Sequence, residues 1–362
     1  MPAQSSRHPV RLVMVTGSGR SGTSTAAGVL KRLGLHLPQP EKPADDANPR
    51  GFYETQWVVD FHKSLLKPIA VRTGDSRPRA AQLAAEAAAR PKVVKDLREW
   101  LAGQLDHPQV VIKDPRAFWV NDLWRSVAEE LGVELRYLTM LRHPLEVAKS
   151  RDNAFLSDRT TEFRRQRETS NVAAWCNVAF ESERATRQGT RCFLRYSDLV
   201  ADWRSAMRSV GQQLDLEFDA DLSPGEPHEI DSFVDPGLYR SQVGPDDMDV
   251  PDDLRSSAER VWNIMNLLVE DPHDSHAIEQ LSVMRAEYGR MHDFAVAIAL
   301  DDITAQHVET RARTGRKLGR RHRRELRRLR AEVDETQDEK APDNGGPRSW
   351  WTRTRRMGPQ RP

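Results

Sequence analysis

The sequence predicts an α/β fold: a parallel β-sheet flanked by helices on both faces, followed by a helical C-terminal region and a basic tail. Three observations carry this. Short apolar runs alternate with segments of helical character, the pattern of strand–helix–strand units in a parallel sheet. A glycine-rich turn, "GSGRSGTS" over 17–24, joins the first apolar run to the first helical segment, as in P-loop-type folds that hold phosphate. Beyond Thr310 the composition becomes overwhelmingly basic, "RARTGRKLGRRHRRELRRLR", with a single acid.

Residues 1–10 read as a flexible lead, and 11–17 as a buried strand ended by glycine. Thr23 to Leu33 is a helix stopped by Gly34. The stretch from Pro38 to Gly51 carries four prolines and is a loop. "FYETQWVVDFHKSLL" resumes helical spacing, and 76–105 holds two helices separated at Pro91. "QVVIKD", ending at Asp114, is the second strand, with a helix over Trp119–Leu131 behind it. "ELRYLTMLR", ending at Arg142, is the third, and Pro144 opens the next helix, a first-turn position that suits proline. Thr161–Gln188 reads as a long amphipathic helix. "TRCFLRY" is the fourth strand, with Ser197 and Asp198 as caps of a helix reaching Leu214. Residues 221–253 are loop, and two helices fill 254 to about 300. The organisation is thus a lead (1–10), one α/β domain (11–300) and a charged tail (301–362), helical and then disordered.

Composition narrows the function classes. With 38% hydrophobic residues the chain can build a core despite 30% charge. Two cysteines, Cys176 and Cys192, give neither a disulfide framework nor a metal quartet, and no metal-ligand set is read. No stretch reads as a signal peptide or a transmembrane segment, so the expected location is cytoplasmic.

Against the nucleotide pattern G-x-x-x-x-G-K-S/T, Gly17, Gly22 and Ser24 fit, but Thr23 takes the lysine position and Arg20 is the loop's cation. The second strand ends on Lys113 and Asp114 rather than on an acid placed alone for Mg²⁺. The loop therefore suits an anion that side chains neutralise. A phosphosulfate meets that demand, because the transferred sulfuryl carries less charge than a phosphoryl and needs cations mainly at the leaving phosphate.

These residues resemble the PAPS-dependent sulfotransferases of bacterial type. "GSGRSGTS" is similar to that family's 5′-phosphosulfate loop. "LRHPLEVAKS" resembles its 3′-phosphate motif, Arg142 and Ser150 having the expected eight-residue spacing. "VIKDPRAFWVNDLW" and "LRYSDLVADW" match two further blocks in order. The resemblance covers roughly 11–215. It implies PAPS (3′-phosphoadenosine 5′-phosphosulfate) as co-substrate, bound by Gly19, Arg20, Ser21, Gly22, Thr23, Ser24, Arg142, Ser150 and Tyr196, the last near the adenine. Arg20 and Lys113 would act on the leaving phosphate. Gly19 replaces a common proline, and the family's later R-K-G-type block has no clear counterpart, Arg240 being the candidate substitute.

Transfer to a hydroxyl needs a general base. Glu54 is the first candidate, as in family branches whose base follows the loop–helix unit, with His62 and Asp114 as alternatives. Asp114 would otherwise orient Lys113 or Arg116, while Trp119 and Trp124 read as core. The acceptor stays open among carbohydrate, lipid, peptide and small metabolite. The tail over Arg311–Arg330 suits nucleic acid, an anionic surface or an acidic partner as well as plain solvation. An atypical P-loop kinase and a non-catalytic anion- or nucleic-acid-binding protein are the rival readings.

Overall fold

The computed structural model describes residues 9–45, 48–155, 159–234, 237 and 249–338. Strand β1 (Arg11–Gly17) leads through the loop into α1 (Thr23–Arg32). α2 (Gln56–Leu66), α3 (Ala80–Ala88) and α4 (Pro91–Ala102) follow, α4 starting on its proline as the missing N–H allows. β2 (Gln109–Lys113) is succeeded by a 3₁₀ turn over Ala117–Val120 and α5 (Asn121–Glu130), so the single helix expected from Trp119 begins as a tighter turn. β3 (Glu134–Leu141), α6 (Pro144–Phe155), α7 (Thr161–Thr186) and β4 (Thr190–Arg195) complete the sheet.

The helix expected after β4 differs in detail. It starts at Tyr196, ahead of the anticipated caps, and is interrupted at Asp202 into α8 (Tyr196–Ala201) and α9 (Trp203–Leu214). Asp202 is the cap, its carboxylate accepting from the N–H groups of Arg204 and Ser205 at 3.1 Å each. One turn, α10 (Ile230–Phe233), interrupts the region read as loop, and α11 (Asp252–Glu270) and α12 (Ser275–Ile298) follow.

The four strands are all parallel, in the order β2-β1-β3-β4. Alternate residues of each strand point to opposite faces. Leu12 and Met14 with Val110 and Ile112 enter a core built by α2 to α5. Val13, Val15, Val111, Leu138 and Met140 enter the core under α1, α8 and α9. A third core packs Phe193 and Leu141 against α6, α7, α11 and α12. The expectation of an amphipathic α7 is corrected by its burial. Its first turns are largely exposed, but from Asn171 it is buried on nearly every side, Val178 joining one core and Trp175 and Phe180 another. A helix wedged between two cores loses its one-sided pattern.

The chain divides into two units, Met1–Asp293 and Phe294–Pro362. The second carries α13 (Leu300–Asp338), whose acids Asp301 and Asp302 occupy the favourable first turn. Leu318, Leu326 and Leu329 are exposed on it. Among the described residues no helix is long and apolar enough to cross a membrane.

Candidate active site

In the order β2-β1-β3-β4 the chain reverses direction across the sheet between β1 and β3. Open α/β sheets bind ligands outside the carboxyl ends of the strands at such a point. The loop after β1 lies there. Gly22 adopts φ +88°, and a Cβ at this position would overlap the Tyr196 ring, so glycine is required by backbone and by packing. Arg20 also takes a left-handed conformation, φ +76°, a strain that the surrounding contacts must hold in place. No side chain caps α1 behind Gly22, which leaves its first N–H groups directed at the loop. The Ser21 hydroxyl is buried and has no hydrogen-bond partner among the described residues.

On the β2 side three expected residues converge. Lys113 Nζ donates to Glu54 Oε1 at 2.6 Å and to Ser24 Oγ at 3.2 Å, with Lys113 and Glu54 both buried. An ammonium has three N–H donors, so one stays unspent among the described residues. Glu54 follows Tyr53, another non-glycine residue at positive φ (+52°), which turns the chain so that the carboxylate faces Lys113. Two neighbours escaped the sequence reading. Asn48 donates to Ser24 Oγ at 3.2 Å, and Lys42 Nζ lies 3.9 Å from Glu54 Oε2. Burial lowers the Lys42 pKa, and the nearby Glu54 opposes that shift. Both residues lie in the proline-rich loop, whose composition marks a turn but not its direction.

The other two base candidates lie deeper. His62 is fully buried, and its Nε2 receives the indole N–H of Trp124 at 3.0 Å. An indole can only donate, so Nε2 accepts and the ring proton resides on Nδ1, which faces Asp114 Oδ2 at 3.2 Å without hydrogen-bond alignment. Burial alone would raise the Asp114 pKa, but the Arg116 guanidinium, with the His62 Nδ1–H dipole facing the carboxylate, holds it well below the usual carboxylate range. Arg116 grips it twice, at 2.7 and 3.0 Å. Asp114 thus orients Arg116, while Lys113 turns to Glu54.

On the β3 side, Arg20 Nε donates to Ser150 Oγ at 3.1 Å, and Arg142 Nη1 donates to the Arg20 carbonyl at 3.2 Å. Arg142 also binds Glu146 at 2.9 Å and lies 5.0 Å from the Tyr196 ring centroid. Burial, and then Arg142, lowers the Arg20 pKa. The Tyr196 ring rests on Gly22 and so braces the loop. Arg151, next to Ser150, was not singled out from the sequence; it donates to Ser18 Oγ at 3.2 Å. Arg240 lies outside the described residues. The loop therefore has a lysine–carboxylate pair on one side and Arg20 and Arg142 on the other, groups able to hold an anion and to move a proton.

Two solved structures resemble the chain in outline. One is the sulfotransferase domain from the Synechococcus PCC 7002 olefin synthase, 18% identical, covering 70% of this chain and 94% of its own, with a TM-score of 0.42. The other is the sulfotransferase domain from the curacin biosynthetic pathway, 16% identical, covering 72% and 99%, with a TM-score of 0.40. No curated protein matches the sequence. The model of the Sulfotransferase family matches residues 13–220, from β1 through α9 and more than half of the chain. The chain belongs to the sulfotransferase family.

Proposed function

We propose that this sulfotransferase moves a sulfuryl group from PAPS to a hydroxyl of a carbohydrate, lipid, peptide or small metabolite, by in-line transfer with general-base assistance and without a metal. The observation that carries the reading is the meeting of Glu54, Lys113 and Ser24 at the start of α1, with Arg20, Ser150 and Arg142 on the loop's other side. The site fits a phosphate-bearing donor: the buried Ser21 hydroxyl lacks a partner among the described residues, and a Cβ at Gly22 would fill the turn.

When bound, PAPS supplies an activated sulfuryl group on a phosphate leaving group. Gly19, Arg20, Ser21, Gly22, Thr23 and Ser24 would hold its 5′ end, using side chains and the uncapped N–H groups of α1. Arg142 and Ser150 would hold the 3′-phosphate, with Tyr196 bracing the loop beside them. Lys113 would spend its third N–H on the leaving oxygen, where negative charge grows. Glu54 would take the acceptor's proton through Oε2, since Oε1 is held by Lys113. His62, with its Nε2 lone pair committed to Trp124, and Asp114, committed to Arg116, are poorer choices.

Cys176 and Cys192 are buried and unpaired, with thiols pushed up to about 12 by burial. Both suit a reducing compartment, and we place the enzyme in the cytoplasm. The basic stretch of α13 would meet an anionic surface or an acidic partner.

Calorimetry with 3′-phosphoadenosine 5′-phosphate (PAP), beside ATP and adenosine 5′-phosphosulfate, tests the donor. PAP should bind most tightly, and Arg142→Ala should weaken it about ten- to hundredfold, the worth of hydrogen bonds to a charged group. Equal affinity for all three ligands, unchanged in the variant, would reject the donor assignment.

A further inference from the structure

Arg151 is the least explained cation at the loop. Its guanidinium is partly buried and packs on Gly74, where a Cβ would lie 2.6 Å from Nη1. Of its five donors, one nitrogen reaches Ser18 Oγ at 3.2 Å and the Gly19 carbonyl at 3.5 Å. No carboxylate among the described residues pairs with it. The adjacent acid, Asp152, is gripped by Arg164, and Asp75, one residue past Gly74, is gripped by Arg77 at 2.7 and 2.9 Å. Its charged neighbours are cations: burial first, then Arg167, Arg20 and Arg72, lower its pKa to about 10. Arg167 is lowered in turn by burial and by Arg72. Neither the Arg72 nor the Arg167 side chain pairs with a carboxylate among the described residues.

This cluster is held by a built frame. Asp75 accepts from the N–H groups of Arg72 and Arg77 at 3.1 and 3.0 Å. Asn177 of α7 donates to the carbonyls of Asp75 and Arg77, and Trp119 to that of Thr73. Arg72 lies two residues before Gly74, on which Arg151 packs, and Arg167 follows Arg164, which grips Asp152. Arg72 is exposed while Arg151 and Arg167 are partly buried, and like charges gathered in this way are costly unless an anion joins them.

We propose that Arg151, Arg72 and Arg167 form a second oxyanion subsite, which takes a phosphate, sulfate or carboxylate already carried by the acceptor. The proposal rests on the donor reading above and extends it to the acceptor's class. The donor's 3′-phosphate is the other source of such an anion, and the packing speaks against it. Arg142 and Tyr196 approach the loop beside the core under α1, whereas Val71, which leads to Gly74, belongs to the core on the opposite face of the sheet.

The test titrates phenyl phosphate, with phenol as the uncharged control, into the PAP-saturated protein and into the ligand-free protein. Phenyl phosphate should bind the PAP-saturated protein at one site, at least about tenfold more tightly than phenol, as charge-assisted pairing implies. Arg151→Met should remove that preference while leaving PAP affinity within about threefold, and Arg72→Met and Arg167→Met should each weaken it in part. These two variants carry the test if Arg151→Met does not fold. Loss of PAP affinity without change toward phenyl phosphate would assign the cluster to the donor and overturn the proposal. So would equal binding of phenol and phenyl phosphate. Failure of PAP itself to bind would instead reject the donor reading, and the ligand-free titration would still read the subsite.

Discussion

Lys113 and Arg151 approach the same loop, yet Glu54 neutralises the lysine at 2.6 Å while the arginine meets no carboxylate among the described residues. A buried ion pair is stable as it stands and exposes its partners only when something competes for one of them. A cluster of unmatched cations has the opposite character, since it is completed by an anion from outside. Under the proposed reading the two flanks do different work: the β2 side moves a proton and charge, and the α6 side holds an anion.

Substitutions can break this contrast, and the largest effect is expected at Glu54. Glu54→Gln keeps the shape and removes the base, so sulfate release from PAPS should fall by about 10²–10⁴ while PAP affinity changes little. Parallel losses in both would move Glu54 from proton transfer to binding. Lys113→Met should lower turnover by about 10²–10³. It should also cost up to about 3–5 kcal/mol in denaturant unfolding, because Glu54 would be left buried with only the more distant Lys42 ammonium, at 3.9 Å, facing it. The double variant Glu54→Gln/Lys113→Met should recover most of that stability and none of the activity, which separates the pair's structural weight from its chemistry.

A smaller effect follows acid. Asp114 has a folded pKa below its unfolded value of about 3.9, so its contribution is complete above that value and disappears as pH falls through the folded one. The stability gap between wild type and Asp114→Asn should therefore be full at pH 7 and begin to narrow below about pH 5, measured by urea unfolding. A gap that widened on acidification would contradict the ionised state given to Asp114.

Much of the sheet and the loop was legible because their signals are local. The glycine-rich turn, the strand ends at Lys113 and Arg142 and the Arg142/Ser150 spacing all lie within short windows of sequence. What stayed hidden was decided by distant contacts. Glu54 and Lys113 are 59 residues apart, and nothing near Lys113 shows that it turns from the adjacent Asp114 to that carboxylate. Arg151 looks like any helical arginine until Gly74 is laid against it. His62 remains a plausible base on paper, and only the Trp124 indole shows that its lone pair is taken. Asp202, by contrast, had a readable signal. It is a favoured capping residue, and the nearer Ser197 and Asp198 drew the reading away from it.

The most direct measurement follows PAP release when the purified protein is given PAPS in EDTA, with a parallel reaction containing ATP and Mg²⁺. The account predicts slow, steady formation of PAP with an equal amount of inorganic sulfate, water taking the sulfuryl group in place of the acceptor hydroxyl, lost in Glu54→Gln, and no consumption of ATP. Intact PAPS beside magnesium-dependent ATP turnover would contradict it.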